Sequence, residues 1–336
     1  MASQPAVARR NAACRGRVAA SMPAIVIATG YGGPGVLAVA DQPAGEPGAG
    51  EARIEIRAAG VNPVDYKAYS GAFGADPSRL PLRLGAEAAG VVTAVGPDPA
   101  GPLGPVAPGD EVIAFRAPGA YAAELVLPAS ALVPKPATVG WPQAAGLMAT
   151  GVTAWHALAA TDVRQGDTVL IHAAAGGVGL MAVQLAAMRG ATVIGTASPA
   201  RHELLRGLGV VPVSYGPGLA GRLREAAPDG VDAALDLIGT DEAVDTSLDL
   251  VSDRARVATI AAFKRGFEEG IKVLGGAPGA DPGAEIRAAA RPELARLAGQ
   301  GALRVVVSQT FPLADAAAAH QSIMTGHTVG KIALIP

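Results

Sequence analysis

Two different rhythms of apolar residues divide the chain. Up to about residue 135, apolar positions come in short runs broken by glycine and proline. Residues 24–28, 36–40, 52–58, 89–95 and 110–115 read as strands. The run 52–58 (ARIEIRA) alternates polar and apolar positions, so one strand face meets a core and the other meets water. Turn signals such as Gly32-Gly33-Pro34 and Pro118-Gly119 separate the runs. Many short strands with regular turns predict an antiparallel barrel or sandwich.

From residue 165 the rhythm changes. Short β-branched runs at 167–172 (DTVLIH), 191–195 (ATVIG), 210–213, 231–238 and 256–261 alternate with helical stretches, among them 177–188 and 199–208. Such alternation implies parallel strands joined by crossover helices, an open doubly wound sheet. Beyond residue 300, a strand at 303–307, an amphipathic segment at 313–323 and a strand at 330–335 are expected to return to the first domain. The expected division is α/β: one domain from 22–148 with 286–336, and a second from 149–285. The stretch 141–160 is apolar enough to suggest a membrane span. Pro142, Gln143, Thr150, Thr153, His156, Gly146 and Gly151 interrupt it, and it reads as a buried helix.

Composition sharpens this picture. A chain of 336 residues fits two domains, and 50% hydrophobic residues can fill two cores, which excludes disorder as the general state. A net charge of −2 leaves no basic field to hold nucleic acid or an anionic membrane. With one cysteine, Cys14, an internal disulfide and a multi-cysteine zinc site are both ruled out, and a reducing, cytoplasmic setting is expected. Residues 1–21 carry Arg9, Arg10, Arg15 and Arg17 and no acid. They read as a disordered basic extension with the domain starting near Met22; a transit peptide would have the same composition.

The strongest chemical signal is 171–179, IHAAAGGVG, which follows a predicted strand and opens a predicted helix. Against G-x-G-x-x-G, Ala174 takes the first place, Gly176 the second and Gly179 the third. A glycine at the second place lets backbone approach a pyrophosphate, and one at the third lets helix and strand pack closely. The helix start (Ala175, Gly176, Gly177, Val178, Gly179) then offers free N–H groups to phosphate. The plain alternative is a tight turn. An NAD site places an acid at the end of the second strand, about 20 residues on, to bind the ribose 2′-OH. Here that strand ends GTASPAR, with no acid until Glu203. Ser198 and Arg201 suit a 2′-phosphate instead, so NADPH is the expected cofactor. Ser198 also reads as an ordinary N-cap and Arg201 as a solvated first-turn residue.

In combination, the segments GVNPVDYKAYS (60–70), LGAEAAGV (84–91), PGDEVI (108–113), GLMATGVTAW (146–155) and IHAAAGGVGLMAVQ (171–184) resemble the zinc-independent quinone oxidoreductases of the medium-chain dehydrogenase/reductase superfamily. The resemblance implies a GroES-like β-barrel domain and a Rossmann domain, with NADPH and substrate in the cleft between them, and a homodimer or homotetramer; a homodimer is expected. Zinc-dependent relatives carry a cysteine shortly after G-V and a G-H-E motif. This chain has Gly60-Val61-Asn62-Pro63 and Gly85-Ala86-Glu87, so no metal is expected. Without a Lewis acid, the plausible chemistry is hydride delivery to a quinone or to the β-carbon of an enone.

By resemblance, Asn62 would contact the nicotinamide ribose or the substrate carbonyl. Many quinone reductases carry tyrosine five residues later; this chain has Lys67, and the N-P-V-D-x-K form is similar to enone and alkenal reductases. Lys67 is a candidate donor to the developing enolate, with snorkelling to solvent as the alternative. Tyr66 and Tyr69 complete the candidate catalytic set, with core packing as theirs. The resemblance further implies cofactor contacts at Thr153, Tyr215, Ile238, Gly239, Ala262 and Phe263, with ordinary packing or a turn as the alternative for each.

The five histidines lack metal-binding spacing; His172 reads as structural, and Asp236 and Asp241 as turn residues. Two rivals remain to the quinone or enone reductase: a biosynthetic enone or enoyl-thioester reductase, and a low-turnover NADPH-binding sensor or partner protein. The expected partner is a small molecule, not nucleic acid or membrane.

Overall fold

The alternating run at 52–58 lies in the longest strand, on which the first half of the protein is organised. In this computed structural model, which describes residues 24–336, Glu51–Val61 pairs along one edge with Glu87–Val95. Along its other edge, residues 51–55 pair with Glu124–Pro128 and residues 59–61 with the C-terminal strand Lys331–Ile335. Glu111–Phe115 and Leu132–Pro134 extend the sheet on one side, and Val307–Pro312 on the other. Alternate residues of the central strand, Ile54 and Ile56, are buried with Val92, Tyr121, Leu125 and Leu334. The basic extension, Met22 and Cys14 lie outside the described residues.

The second half is a six-stranded, all-parallel sheet. Its spatial order is Val211–Val213, Thr192–Thr196, Thr168–Ile171, Ala233–Asp236, Val257–Thr259, Lys272–Val273. The chain turns back between Thr168–Ile171 and Ala233–Asp236, and ligands of such sheets bind at that switch point, outside the carboxyl ends of the strands. Among the described residues no helix is long and apolar enough to cross a membrane.

Three expected elements differ. The apolar stretch 141–160 is two helices, Trp141–Ala145 and Met148–Ala160. Gly146 ends the first, its N–H bonding back to Pro142 and Gln143 carbonyls, and the Lys331 side chain occupies the space over its α-carbon. The expected strand 303–307 begins only at Val307. Leu303 and Val305 are apolar because they fill the core in an irregular segment. The expected helix 199–208 is a 3-10 turn, Pro199–Arg201, followed by a short helix, His202–Arg206.

The C-terminal strand also ties the halves together. Gly330 donates its N–H to the Ala175 carbonyl of the glycine turn at 3.1 Å. Its φ is +60°, and a Cβ there would collide with the Val306 carbonyl, so only glycine fits.

Candidate active site

The glycine turn joins Thr168–Ile171 to the helix Gly177–Met188 at the switch point. Gly176 is the N-cap, so the N–H groups of Gly177, Val178 and Gly179 have no partner within the helix. The Gly177 N–H is turned to the Gly330 carbonyl across the bridge between Gly176 and Gly330, which leaves those of Val178 and Gly179 at the positive end of the helix dipole, an arrangement that suits phosphate. A Cβ on Gly179 would meet the Ala173 carbonyl and come within 2.7 Å of the Ala174 Cα, so helix and turn touch backbone to backbone. The α-carbon of Gly177 faces inward, and a Cβ on it would sit 3.0 Å from Thr150 and 3.3 Å from the Lys331 side chain. Ala175 is buried, with its carbonyl held by Gly330.

At the end of the next strand, Ser198 starts the Pro199–Arg201 turn without using its hydroxyl as a cap. Arg201 has no side-chain hydrogen bond or ion pair among the described residues. Tyr215, just past Val211–Val213, is half exposed. On the other side of the switch point, buried Asp236 stitches two strand ends together. Its Oδ1 accepts from the N–H groups of Ile238 (3.0 Å) and Gly239 (2.8 Å), and its Oδ2 from the Thr259 hydroxyl (2.7 Å). Thr259 accepts from the N–H of Ala262 at 2.9 Å, bringing the Ile238-Gly239 and Ala262-Phe263 turns side by side. Asp236 thus does hold a turn, and half-exposed Ile238 projects beside it. The cofactor candidates from the parallel sheet therefore lie along one edge, its C-terminal edge. Thr153, on the helix Met148–Ala160, donates to the Ala149 carbonyl at 2.7 Å and is approached by Arg287 at 3.4 Å.

Asn62 sits where the first domain meets this edge. It is buried, and its carboxamide lies between opposite charges: Nδ2 donates to Glu87 Oε1 at 3.0 Å, and Oδ1 accepts from Lys331 Nζ at 2.6 Å. Lys331 Nζ also donates to Glu87 Oε1 at 2.8 Å and to the Val61 carbonyl at 2.9 Å. The other Glu87 oxygen accepts from the N–H of Ala149 in the first turn of the helix Met148–Ala160, at 2.7 Å. One Nδ2 hydrogen of Asn62 remains for a ligand.

The short helix Pro63–Tyr69 carries the other catalytic candidates. Tyr69 corrects the expectation: it is 1% exposed, stacked on His320, with its hydroxyl 2.7 Å from His320 Nδ1. A ring so enclosed presents nothing to a substrate, and Tyr69 is a core residue. Tyr66 packs partly against the same core. Lys67 is half-exposed, with no side-chain hydrogen bond or ion pair among the described residues.

An alcohol dehydrogenase GroES-like profile matches residues 48–137, and a zinc-binding dehydrogenase profile matches residues 213–334. The quinone oxidoreductase of Pseudomonas aeruginosa is 35% identical over 324 residues, covering 91% of this chain and 97% of that protein. This chain belongs to the quinone oxidoreductase branch of the medium-chain dehydrogenase/reductases. The solved Escherichia coli quinone oxidoreductase complexed with NADPH superimposes with a TM-score of 0.81 at 29% identity, covering 93% of this chain and all of that one. The expected fold, a GroES-like domain joined to a Rossmann domain, is therefore the fold of the family. The spectinabilin polyketide synthase system protein NorB of Streptomyces orinoci is 36% identical over 314 residues, but this chain spans only 14% of its length.

Sequence reasoning missed Lys331 and Glu87 as members of the site, and Asp65, Tyr121 and His320 beneath it. Asp65 accepts from the Asn62 N–H at 2.8 Å and the Tyr121 hydroxyl at 3.0 Å; that hydroxyl also lies 2.9 Å from His320 Nε2. Burial drives the Asp65 carboxyl up to about 7 against the hydrogen bonds that oppose it. Burial also pushes His320 and His172 down to about 4. His172, enclosed between Thr196 and Thr246, is structural as read from sequence.

These shifts predict a pH profile. Below an unfolded pKa of about 6.5 each unfolded histidine takes a proton that the folded state refuses until about pH 4. Asp65 works the other way, holding its proton in the folded state from about pH 4 to 7. Burial holds His156 below its ordinary range as well, so unfolding takes up more protons than Asp65 releases, and stability rises with pH between roughly pH 4 and 6.5. Urea unfolding across that window checks the sign; a flat or falling profile contradicts it.

Proposed function

We propose that this protein is an NADPH-dependent, zinc-independent reductase of quinones or α,β-unsaturated carbonyl compounds. The observation that carries this reading is the glycine turn at the switch point. Its Gly179 leaves no room for a side chain, the N–H groups of Val178 and Gly179 have no partner within the helix, and Ser198 and Arg201 are uncommitted past the end of the next strand. The NADPH complex of the Escherichia coli relative supports the same cofactor. Zinc independence rests on the residues present. Ala86 stands where the zinc-dependent pattern has histidine, no cysteine follows Gly60-Val61, and Glu87 is already committed to Lys331, Asn62 and the Ala149 N–H.

When bound, NADPH supplies a hydride to the acceptor's β-carbon, and one proton from solvent or an acid completes the saturated carbonyl as NADP⁺ forms. The protein's share is orientation and charge stabilisation. Asn62, fixed on two sides, aims its remaining N–H at the ribose or the acceptor carbonyl. Lys67 donates to the oxygen on which negative charge develops. A Lys67→Met variant is expected to lose about 10–100-fold in kcat/KM with a small enone, from the lost charged hydrogen bond. The measurement is absorbance at about 340 nm, where the reduced cofactor absorbs, over a panel of quinones, alkenals and cyclic enones. Unchanged kcat/KM removes Lys67 from the reaction, and no turnover with any acceptor removes the reductase reading. The match to NorB supports a second reading, reduction of an enoyl thioester, which the same panel distinguishes when such a thioester is included. A homodimer in the cytoplasm completes the proposal, and analytical ultracentrifugation tests the oligomeric state.

A further inference from the structure

Three arginines gather where the paired strands Glu111–Phe115 and Leu132–Pro134 end beside the helix Ala284–Gly299. Arg116 follows the strand Glu111–Phe115 directly; Phe115 is paired with Glu87, and the next N–H, of Ala117, donates to the Ala86 carbonyl. Arg116 is thus placed beside the residue that holds Asn62. It also takes φ +57°, a left-handed conformation costly for arginine. Arg287 and Arg291 lie one turn apart on the helix Ala284–Gly299. Arg287 donates to His156 Nδ1 at 3.2 Å and reaches Thr153 at 3.4 Å; Arg291 donates to the Ser130 carbonyl at 3.2 Å. Thr153 is one helical turn, about 5.4 Å of rise, beyond the Ala149 N–H bound by Glu87. Among the described residues none of the three guanidinium groups makes a salt bridge; Asp281, the acid whose charge reaches Arg287, is engaged by His156. Burial and then the charge of Arg116 push both Arg287 and Arg291 below their ordinary range, with Asp281 opposing the shift at Arg287.

We propose that Arg116, Arg287 and Arg291 form an anion site at the mouth of the cleft, and that the physiological acceptor carries a carboxylate held there while its unsaturated carbonyl lies toward Asn62. A planar guanidinium matches a carboxylate through paired N–H donors. This inference rests on the reductase reading for its substrate, but the site itself is testable without turnover.

The test compares 4-oxopent-2-enoate with its methyl ester, in wild type and in Arg116→Gln and Arg291→Gln, with NADPH at saturation. The wild type is expected to favour the acid over the ester by tenfold or more in kcat/KM, less so at high salt, and each variant to lose most of that preference. No preference in wild type, or the same preference in both variants, overturns the proposal. So does a loss of NADPH affinity in the variants equal to the loss for the acid, which would assign the arginines to the nucleotide. If neither compound is reduced, the reductase reading fails, and calorimetry of the NADPH-loaded protein with the saturated analogue 4-oxopentanoate decides the site. Binding that weakens about tenfold in both variants, with none for its methyl ester, upholds it; no binding, or equal binding in all three proteins, overturns it.

Discussion

Replacing Lys331 with methionine is expected to cost about 3–5 kcal/mol of stability, because it leaves the buried Glu87 carboxylate without its cation. Lys331 is 3% exposed and Glu87 is fully buried. The ammonium spends its three hydrogens on Glu87, Asn62 and the Val61 carbonyl, so no solvent takes over when it is removed. Methionine fills similar space over Gly146 and Gly177, which separates the charge effect from a cavity. Adding Glu87→Gln to Lys331→Met should recover part of the loss, since the orphaned charge is then gone; urea unfolding of the four proteins measures the coupling. Additive losses contradict it. Activity should fall further than stability, because Asn62 loses the donor that fixes which way its amide points.

Substituting Gly179 by valine is expected to weaken NADPH binding at least 100-fold, about 3 kcal/mol. The new Cβ would strike the Ala173 carbonyl and the Ala174 Cα, and neither can swing aside as a side chain can. The helix Gly177–Met188 must then retreat from the strand before it, taking the N–H groups of Val178 and Gly179 away from the phosphates. Calorimetry gives the affinity, and far-ultraviolet circular dichroism confirms that the sheet persists. Undiminished NADPH affinity in a folded Gly179→Val protein shows that this turn does not seat the diphosphate.

The parts of the fold read from sequence are those with a local signature. Residues 52–58 alternate at the strand period, and the glycines at 176–179 report a backbone that must approach something. Asp236 declared its turn because the bonds it accepts are two and three residues away. The Lys331–Glu87 pair has no such signature, since 244 residues separate its members and topology alone brings them together. The clue was a lysine at the head of an apolar strand (KIALI), where water was not expected to reach it. Tyr69 failed for a related reason. The spacing of Tyr66 and Tyr69 on a helix does not say which face the barrel will cover, and His320, which covers Tyr69, comes from the far end of the chain. The run at 303–307 was apolar for packing rather than pairing, a distinction that short runs do not encode.

The most direct test of the central claim is calorimetric titration of the purified protein with NADPH and with NADH, repeated on Arg201→Ala. The account predicts one NADPH bound per chain and a preference over NADH of at least tenfold, of which Arg201→Ala removes about 1–3 kcal/mol while leaving NADH affinity nearly unchanged. No binding of either nucleotide, or tighter binding of NADH, contradicts it.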